Sequence, residues 1–140
     1  MGSNYKVAIV DTGALVAFLS SNDTHHLWAV GAFKKLPAVL ITCEAVISET
    51  CFLLQRNKQA AKIIGTLLRQ EILRVVSLTE EVNEIFALME KYSNIPMSYA
   101  DASLVRLAEL EKRSVIVSID RDFTLYRSKN GQRLALVAPS

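Results

Sequence analysis

The sequence has little of what builds disulfide frameworks, zinc sites or membrane spans. It holds two cysteines, Cys43 and Cys51, in 140 residues. Both are expected in one helix, where a rise of ~1.5 Å per residue sets them roughly 12 Å apart, beyond the ~7 Å that a disulfide can bridge. They read as reduced core thiols, which suits the cytoplasm. The two histidines, His25 and His26, are adjacent, and neither cysteine stands at ligand spacing to them. Zinc is therefore disfavoured. No stretch approaches the ~18 unbroken apolar residues of a membrane helix, and nothing near the N-terminus has the charged, apolar and small-residue regions of a secretory signal. The expectation is a cytoplasmic protein with no membrane segment. Repeats, low-complexity tracts and linkers are missing too. With 51% hydrophobic and 21% charged residues, disorder is excluded and one domain over residues 1–140 is expected.

Five short apolar runs are present: Val7–Val10, Val39–Ile41, Leu73–Val76, Val115–Val117 and Leu134–Val137. Consecutive β-branched or aliphatic residues are how strands buried on both faces of a parallel sheet read. Helical patterns lie between them. Thr79–Tyr92 carries Val82, Ile85, Phe86 and Met89 at the spacing of one buried face, with Ser77 and Glu80 offering caps. A helix from about Thr42 turns Ala45, Val46, Phe52 and Leu53 inward and breaks near Arg56-Asn57. Gln59–Glu71 sets Ile63, Ile64, Leu67 and Leu68 opposite basic residues, and a further helix follows Pro96, capped by Ser98, to about Lys112. Asn130-Gly131 marks a turn before the last strand. Such alternation predicts an α/β fold, a three-layer α/β/α sandwich around a mostly parallel sheet. Ligands of such sheets sit beyond the carboxyl ends of the strands.

Two of the runs end in acid. Asp11 follows the first strand, and Asp120 follows the fourth within SIDRDF. Glu49 has Ala45, Val46, Phe52 and Leu53 as helical neighbours, so its charge needs a cationic side chain such as Arg56 or a metal. Asp101, three residues after Ser98, is either a capping-box carboxylate or a ligand. Asp122 either assists Asp120 or caps the short helix suggested by Phe123 and Tyr126. Glu44, in the first turn of its helix, complements the helix dipole and is set aside. Buried together, Asp11, Glu49, Asp101 and Asp120 cannot all stay ionised without cations. Hard ions with oxygen ligands fit, Mg²⁺ or Mn²⁺ above all, with Asp122 as an additional ligand.

Taken in order, Asp11-Thr12 after an apolar strand, Glu49 in AVISETCFLL, Asp101 in SYADASLVRLAEL and Asp120 in SIDRDF resemble the acidic quartet of PIN-domain nucleases. The stretch NDTHH before Leu27-Trp28 is similar to the Asp-x-x-His segment of bacterial members. The resemblance spans nearly the whole chain. It implies a five-stranded parallel sheet in the order 3-2-1-4-5, and Mg²⁺- or Mn²⁺-dependent cleavage of single-stranded RNA or structured RNA loops by Asp11, Glu49, Asp101 and Asp120. It also implies a VapC-like toxin that is neutralised by a small antitoxin protein and forms a homodimer. Thr12 and Ser118, beside the first and fourth acids, are candidates for substrate contact. One departure is Gly13, where many members carry serine, and it could loosen the support of Asp11; Ser118 stands where threonine or serine is usual.

Net charge is only +2, but removing the four site acids from the 14 acidic residues leaves 10 against 16 basic, an excess of +6 around the site. That excess favours a polyanion. Arg121, Arg127, Lys129 and Arg106 are candidates for backbone contact, and each also reads as ordinary solvated charge. Aromatic and basic residues do not interleave as they do where bases stack, so no base preference is legible. Leu53-Leu54 and Ile63-Ile64 read either as a groove for an antitoxin helix or as core. The alternative function is a PIN-fold RNA- or protein-binding module without nuclease activity. A phosphoryl-transfer enzyme using Asp11 as acceptor is disfavoured, because Gly13 stands where a second aspartate is wanted and VSIDRDF offers no lysine.

Overall fold

In a computed structural model, which describes residues 5–36 and 39–140, the apolar runs pair edge to edge into one parallel sheet. The elements follow as β1 (Val7–Val10), α1 (Thr12–Leu19), α2 (His26–Lys35), β2 (Val39–Thr42), α3 (Glu44–Leu53), α4 (Ala60–Arg69) and β3 (Leu73–Val75). A 3₁₀ turn over Thr79–Glu81 leads into α5 (Val82–Lys91), then α6 (Tyr99–Leu110), β4 (Ser114–Val117), a second 3₁₀ turn over Arg121–Thr124 and β5 (Leu136–Val137). The strand order is β3-β2-β1-β4-β5, as expected. No helix of the described residues is long and apolar enough to cross a membrane. Residues 1–4, which enter the reading of the N-terminus, lie outside the described residues.

The centre of the sheet is the most apolar part. Ala8, Ile9 and Val10 of β1 and Val115, Ile116 and Val117 of β4 are all buried, because each strand has neighbours on both edges and helices on its faces. The outer strands depart from the expectation of burial on both faces. Only Leu73 of β3 is buried, and β5 is a half-buried pair of residues, since an edge strand has one partner and partial cover.

The chain leaves β1 toward β2 and β3 but leaves β4 toward β5. Right-handed crossovers in opposite directions put helices on opposite faces and open a crevice at the carboxyl ends of β1 and β4. Helix α1, which no periodicity announces, starts at this crevice. Its sequence TGALVAFL has no charged face, because it packs against α2 and α3 as well as entering the core.

Helix phase and helix ends correct several further expectations. In α3 the buried face is Val46 and Thr50, with the Thr50 hydroxyl donating to the Val46 carbonyl at 2.7 Å. Phe52 and Leu53, read as inward, are 68% and 59% exposed, and Cys51 is exposed while Cys43 is buried just before the helix. In α5 the buried residues are Ile85 and Leu88, and Phe86 lies at the surface against Tyr99, with ring centroids 5.6 Å apart. Ser77 caps nothing there; its hydroxyl meets that of Thr79 at 3.2 Å. Of the suggested groove residues, Leu53 and Ile63 are exposed, whereas Ile64 is core.

Candidate functional site

Strands β1 and β4 pair with Val10 opposite Val117, so the next residues, Asp11 and Ser118, emerge side by side. The Asp11 amide donates to the Val117 carbonyl at 3.1 Å and extends the ladder by one step. Ser118 Oγ donates to Asp11 Oδ2 at 2.5 Å, and the Thr12 amide donates to Oδ1 at 2.7 Å, which makes Asp11 the N-cap of α1. Even with both bonds, burial to 5% exposure pushes the Asp11 carboxyl up from its ordinary 3.8 to about 6, and the charges of Asp101 and Asp120 add to the rise.

Ser118 ties the fourth acid to the first. Its Oγ accepts from the Asp120 amide at 2.9 Å, while Asp120 Oδ1 accepts from the Asp122 amide at 2.9 Å. Asp120, rather than Asp122, therefore caps the 3₁₀ turn over Arg121–Thr124. Asp122 lies half-buried inside that turn.

Glu49 does not face the core as the sequence suggested. It is exposed on α3, and its Oε1 accepts from Thr12 Oγ1 at 2.8 Å instead of pairing with Arg56. The hydroxyl and amide of Thr12 thus hold Glu49 and Asp11 at the start of α1. Asp101 forms a full capping box: its Oδ2 accepts from the Ser98 amide at 3.0 Å and its amide donates to Ser98 Oγ at 3.0 Å. Burial also raises the Asp101 carboxyl above its ordinary value, with Asp120 and Glu49 contributing negative charge. The cap and the shared electrostatics coexist on one side chain.

Asp11, Glu49, Asp101 and Asp120 thus come from four elements into one mutually repelling set. The salt bridges of the described residues leave all four unmatched, since they join Asp23 to His25, Arg106 to Glu81 and Glu109, and Lys129 to Glu84. Among the described residues no three histidine, cysteine or carboxylate side chains are gathered closely enough to ligate one ion as they stand. Mg²⁺ is commonly held by one or two carboxylates, waters and substrate phosphates. An oxygen-only set with uncompensated charge suits such a hard cation.

Several residues that support this crevice carry no obvious sequence signal. Thr42 Oγ1 donates to the Val10 carbonyl at 2.8 Å and steadies the end of β1. The buried Cys43 thiol is pushed up by desolvation, with Asp11 and Glu49 adding negative charge. Tyr126 is fully buried, edge-on to Tyr92 and Phe123 at 5.1 and 5.4 Å, and its hydroxyl donates to the Pro96 carbonyl at 2.6 Å. It joins the turn that holds Asp120 to the loop that enters α6 at Ser98. Burial raises its phenol, followed by the charges of Asp101, Asp122, Asp120 and Asp11. The three-residue spacing of Phe123 and Tyr126 is the one available hint. Gly13 has a local cause: a Cβ there would lie 2.7 Å from Ile119 Cγ1, so the isoleucine between Ser118 and Asp120 occupies the space of any side chain.

The basic candidates separate as well. Arg106 is engaged with Glu81 and Glu109, and Arg127 with the carbonyls of Thr124 and Tyr126. Arg121 is exposed and donates to the Pro139 carbonyl at 2.9 Å, and Lys129 is exposed. His26 Nδ1 lies 2.8 Å from the Ala17 carbonyl, and His25 stands beside Asp23.

The family model described as the PIN domain matches residues 8–129. Among solved structures, the chain is similar to Mycobacterium tuberculosis VapC20, a sarcin-ricin loop cleaving toxin, at a TM-score of 0.76 and 21% identity over 84% of this chain and 93% of that one. No curated protein sequence matches.

Proposed function

The chain belongs to the PIN-domain family, and from that premise we propose that it is a metal-dependent endoribonuclease, its residues 1–140 forming one PIN domain. The observation that carries this reading is Asp11, a carboxylate buried at the carboxyl end of β1, where the crossovers from β1 and β4 part in opposite directions, raised to about 6 by burial with Asp101 and Asp120 adding like charge. Such a group is costly in a metal-free fold and useful beside a divalent cation.

Asp11, Glu49, Asp101 and Asp120 would hold Mg²⁺ or Mn²⁺, with Asp122 at the margin. A bound ion of this kind lowers the pKa of a water and offsets charge on phosphate oxygens. The chain itself supplies orientation. Ser118 and the Thr12 amide restrict Asp11, the Thr12 hydroxyl restricts Glu49, the capping box restricts Asp101, and the Asp122 amide restricts Asp120. Carboxylates restrained in this way need little reorganisation when phosphate arrives. Thr12, Ser118 and Arg121 border the set and are the proposed substrate contacts. Likeness to a toxin that cleaves the sarcin-ricin loop supports looped RNA as the substrate and a toxin role; single-stranded RNA, an antitoxin partner, a homodimeric state and a cytoplasmic setting are proposed on the family resemblance alone.

One observation favours a second reading, a PIN-fold RNA- or protein-binding module without nuclease activity: no three ligating side chains converge among the described residues. Cleavage of labelled single-stranded and stem-loop RNA by wild type and Asp101→Asn, in Mg²⁺, Mn²⁺ or EDTA, separates the two. We expect cleavage that EDTA abolishes and that Asp101→Asn reduces by at least the roughly 10–100-fold that loss of an outer-shell partner costs, while calorimetry detects Mn²⁺ binding to wild type. Cleavage untouched by EDTA refutes metal dependence. A wild type that neither cuts RNA nor binds metal leaves the silent module.

A further inference from the structure

Between residues 112 and 133 the chain carries six basic residues and two acidic ones, and the two acids, Asp120 and Asp122, belong to the candidate site. Folding sorts this excess along the β5 side of the molecule. A cleft of 310 Å³ is bordered by Arg121, Thr124, Arg133 and Leu134. A second, of 430 Å³, is bordered by Lys112, Ser128, Lys129, Asn130, Gln132 and Arg133. Arg133 and Leu134 line both clefts, so the two adjoin. Arg121, on the border of the smaller cleft, directly follows Asp120 in the chain, while the larger cleft reaches Lys112 and Ser114 at the amino end of β4.

The backbone that presents these charges is built. Arg127 and Arg133 form an antiparallel bridge, the Ser128 amide donates to the Gln132 carbonyl at 2.9 Å, and the Gly131 amide donates to the Ser128 carbonyl at 2.9 Å. Gly131 adopts φ +75°, which glycine alone takes without strain, and so closes the turn. Arg133 and Lys129 are exposed along it, and Lys112 is exposed between α6 and β4. The acids nearby offer little competition. Glu109 also borders the larger cleft, but its carboxylate is engaged by Arg106 at 3.2 Å, and Glu84 meets Lys129 only at 3.9 Å on open surface.

We propose that the two adjoining clefts are a track for the RNA backbone leading away from the acidic centre, with Arg121, Arg133, Lys129 and Lys112 taking successive phosphates. This rests on the ribonuclease reading above and extends it to the path of the substrate. Ser128, Asn130 and Gln132 add neutral donors and acceptors suited to phosphate and ribose hydroxyls. A groove dominated by cations and amides follows a backbone without selecting bases. Sequence preference would then arise elsewhere, next to the cut.

The test compares wild type with Lys129→Ala/Arg133→Ala and with the triple variant that adds Lys112→Ala. All three positions are exposed, so unchanged circular dichroism and melting temperature are expected. Binding to a long single-stranded RNA is measured in EDTA over a range of salt, and cleavage in Mn²⁺ is measured on that RNA and on a short one that covers only the acidic centre. Each lost phosphate contact should flatten the slope of log affinity against log salt by about 0.7. The triple variant should therefore flatten it by about 2, and kcat/KM on long RNA should fall at least about tenfold with kcat unchanged. Cleavage of the short RNA should match wild type. If wild type binds and cuts RNA while the variants keep its salt slope and its KM, the track is overturned and the basic face serves another partner, such as an acidic protein. A wild type that neither binds nor cuts RNA removes the ribonuclease reading itself, and the track with it.

Discussion

Replacing Asp11 with asparagine isolates the cost of its buried charge in the metal-free protein. Its carboxyl is raised from the ordinary 3.8 to about 6, chiefly by burial. At 1.36 kcal/mol per unit, that difference is about 3 kcal/mol. The sign follows from the raised folded value. Between about pH 4 and pH 6 the native state holds a proton that the unfolded chain releases, so the stability tied to this group is complete below pH 4 and lost as pH rises through 6. Asparagine has no such transition, yet its carbonyl can still accept from the Thr12 amide and its amide can donate to Ser118 Oγ. In EDTA, urea unfolding should show Asp11→Asn gaining on wild type by about 3 kcal/mol between pH 4 and pH 7, with an unchanged m-value. Asp101 and Asp120 contribute to the shift, so the midpoint belongs to the cluster as a whole. Added Mg²⁺ should stabilise wild type and not the variant. A stability difference that stays flat over this range, or that falls as pH rises, refutes the account of Asp11 as an uncompensated buried charge.

Two other perturbations test how the crevice is supported. Gly13→Ala brings a Cβ to 2.7 Å from Ile119 Cγ1; overpacking of about 1–3 kcal/mol outweighs the ~1 kcal/mol helix gain, so a net loss of up to about 2 kcal/mol is expected. Ile119→Ala in the same chain should recover part of it, and strict additivity in a thermal double-mutant cycle would contradict the clash. Tyr126→Phe removes the donor to the Pro96 carbonyl and should cost about 1–3 kcal/mol. Amide exchange at Ser98 and Asp101 should quicken along with it, and exchange as slow as in wild type would show that Tyr126 does not anchor that turn.

Legibility differs from residue to residue for identifiable reasons. The central strands announce themselves because β1 and β4 are buried on both faces, which demands consecutive apolar residues. The Ser98–Asp101 cap is legible because its two partners are three residues apart on one turn. Helix α1 is not, since burial on several sides erases the polar stripe by which helices are recognised. Phe52 and Leu53 are misread as core because apolar residues at helical spacing do not reveal which side of α3 meets the sheet, and the buried side carries Val46 and Thr50 instead. The resemblance carried by the acids points to the family to which the chain belongs, but it assigns no partner to any one of them.

Those partners depend on distance in space. Ser118 reaches Asp11 across 107 positions only because β1 and β4 pair with Val10 opposite Val117. Thr12 reaches Glu49 across 37 positions because α1 packs on α3. Ile119 excludes a side chain at position 13 for the same kind of reason. Strand composition, turn chemistry and capping are settled by neighbours along the chain, so sequence carries them. Strand register and helix phase are settled by how whole elements pack, and in this protein those two quantities place the buried acid beside its hydroxyl donors and its like-charged neighbours.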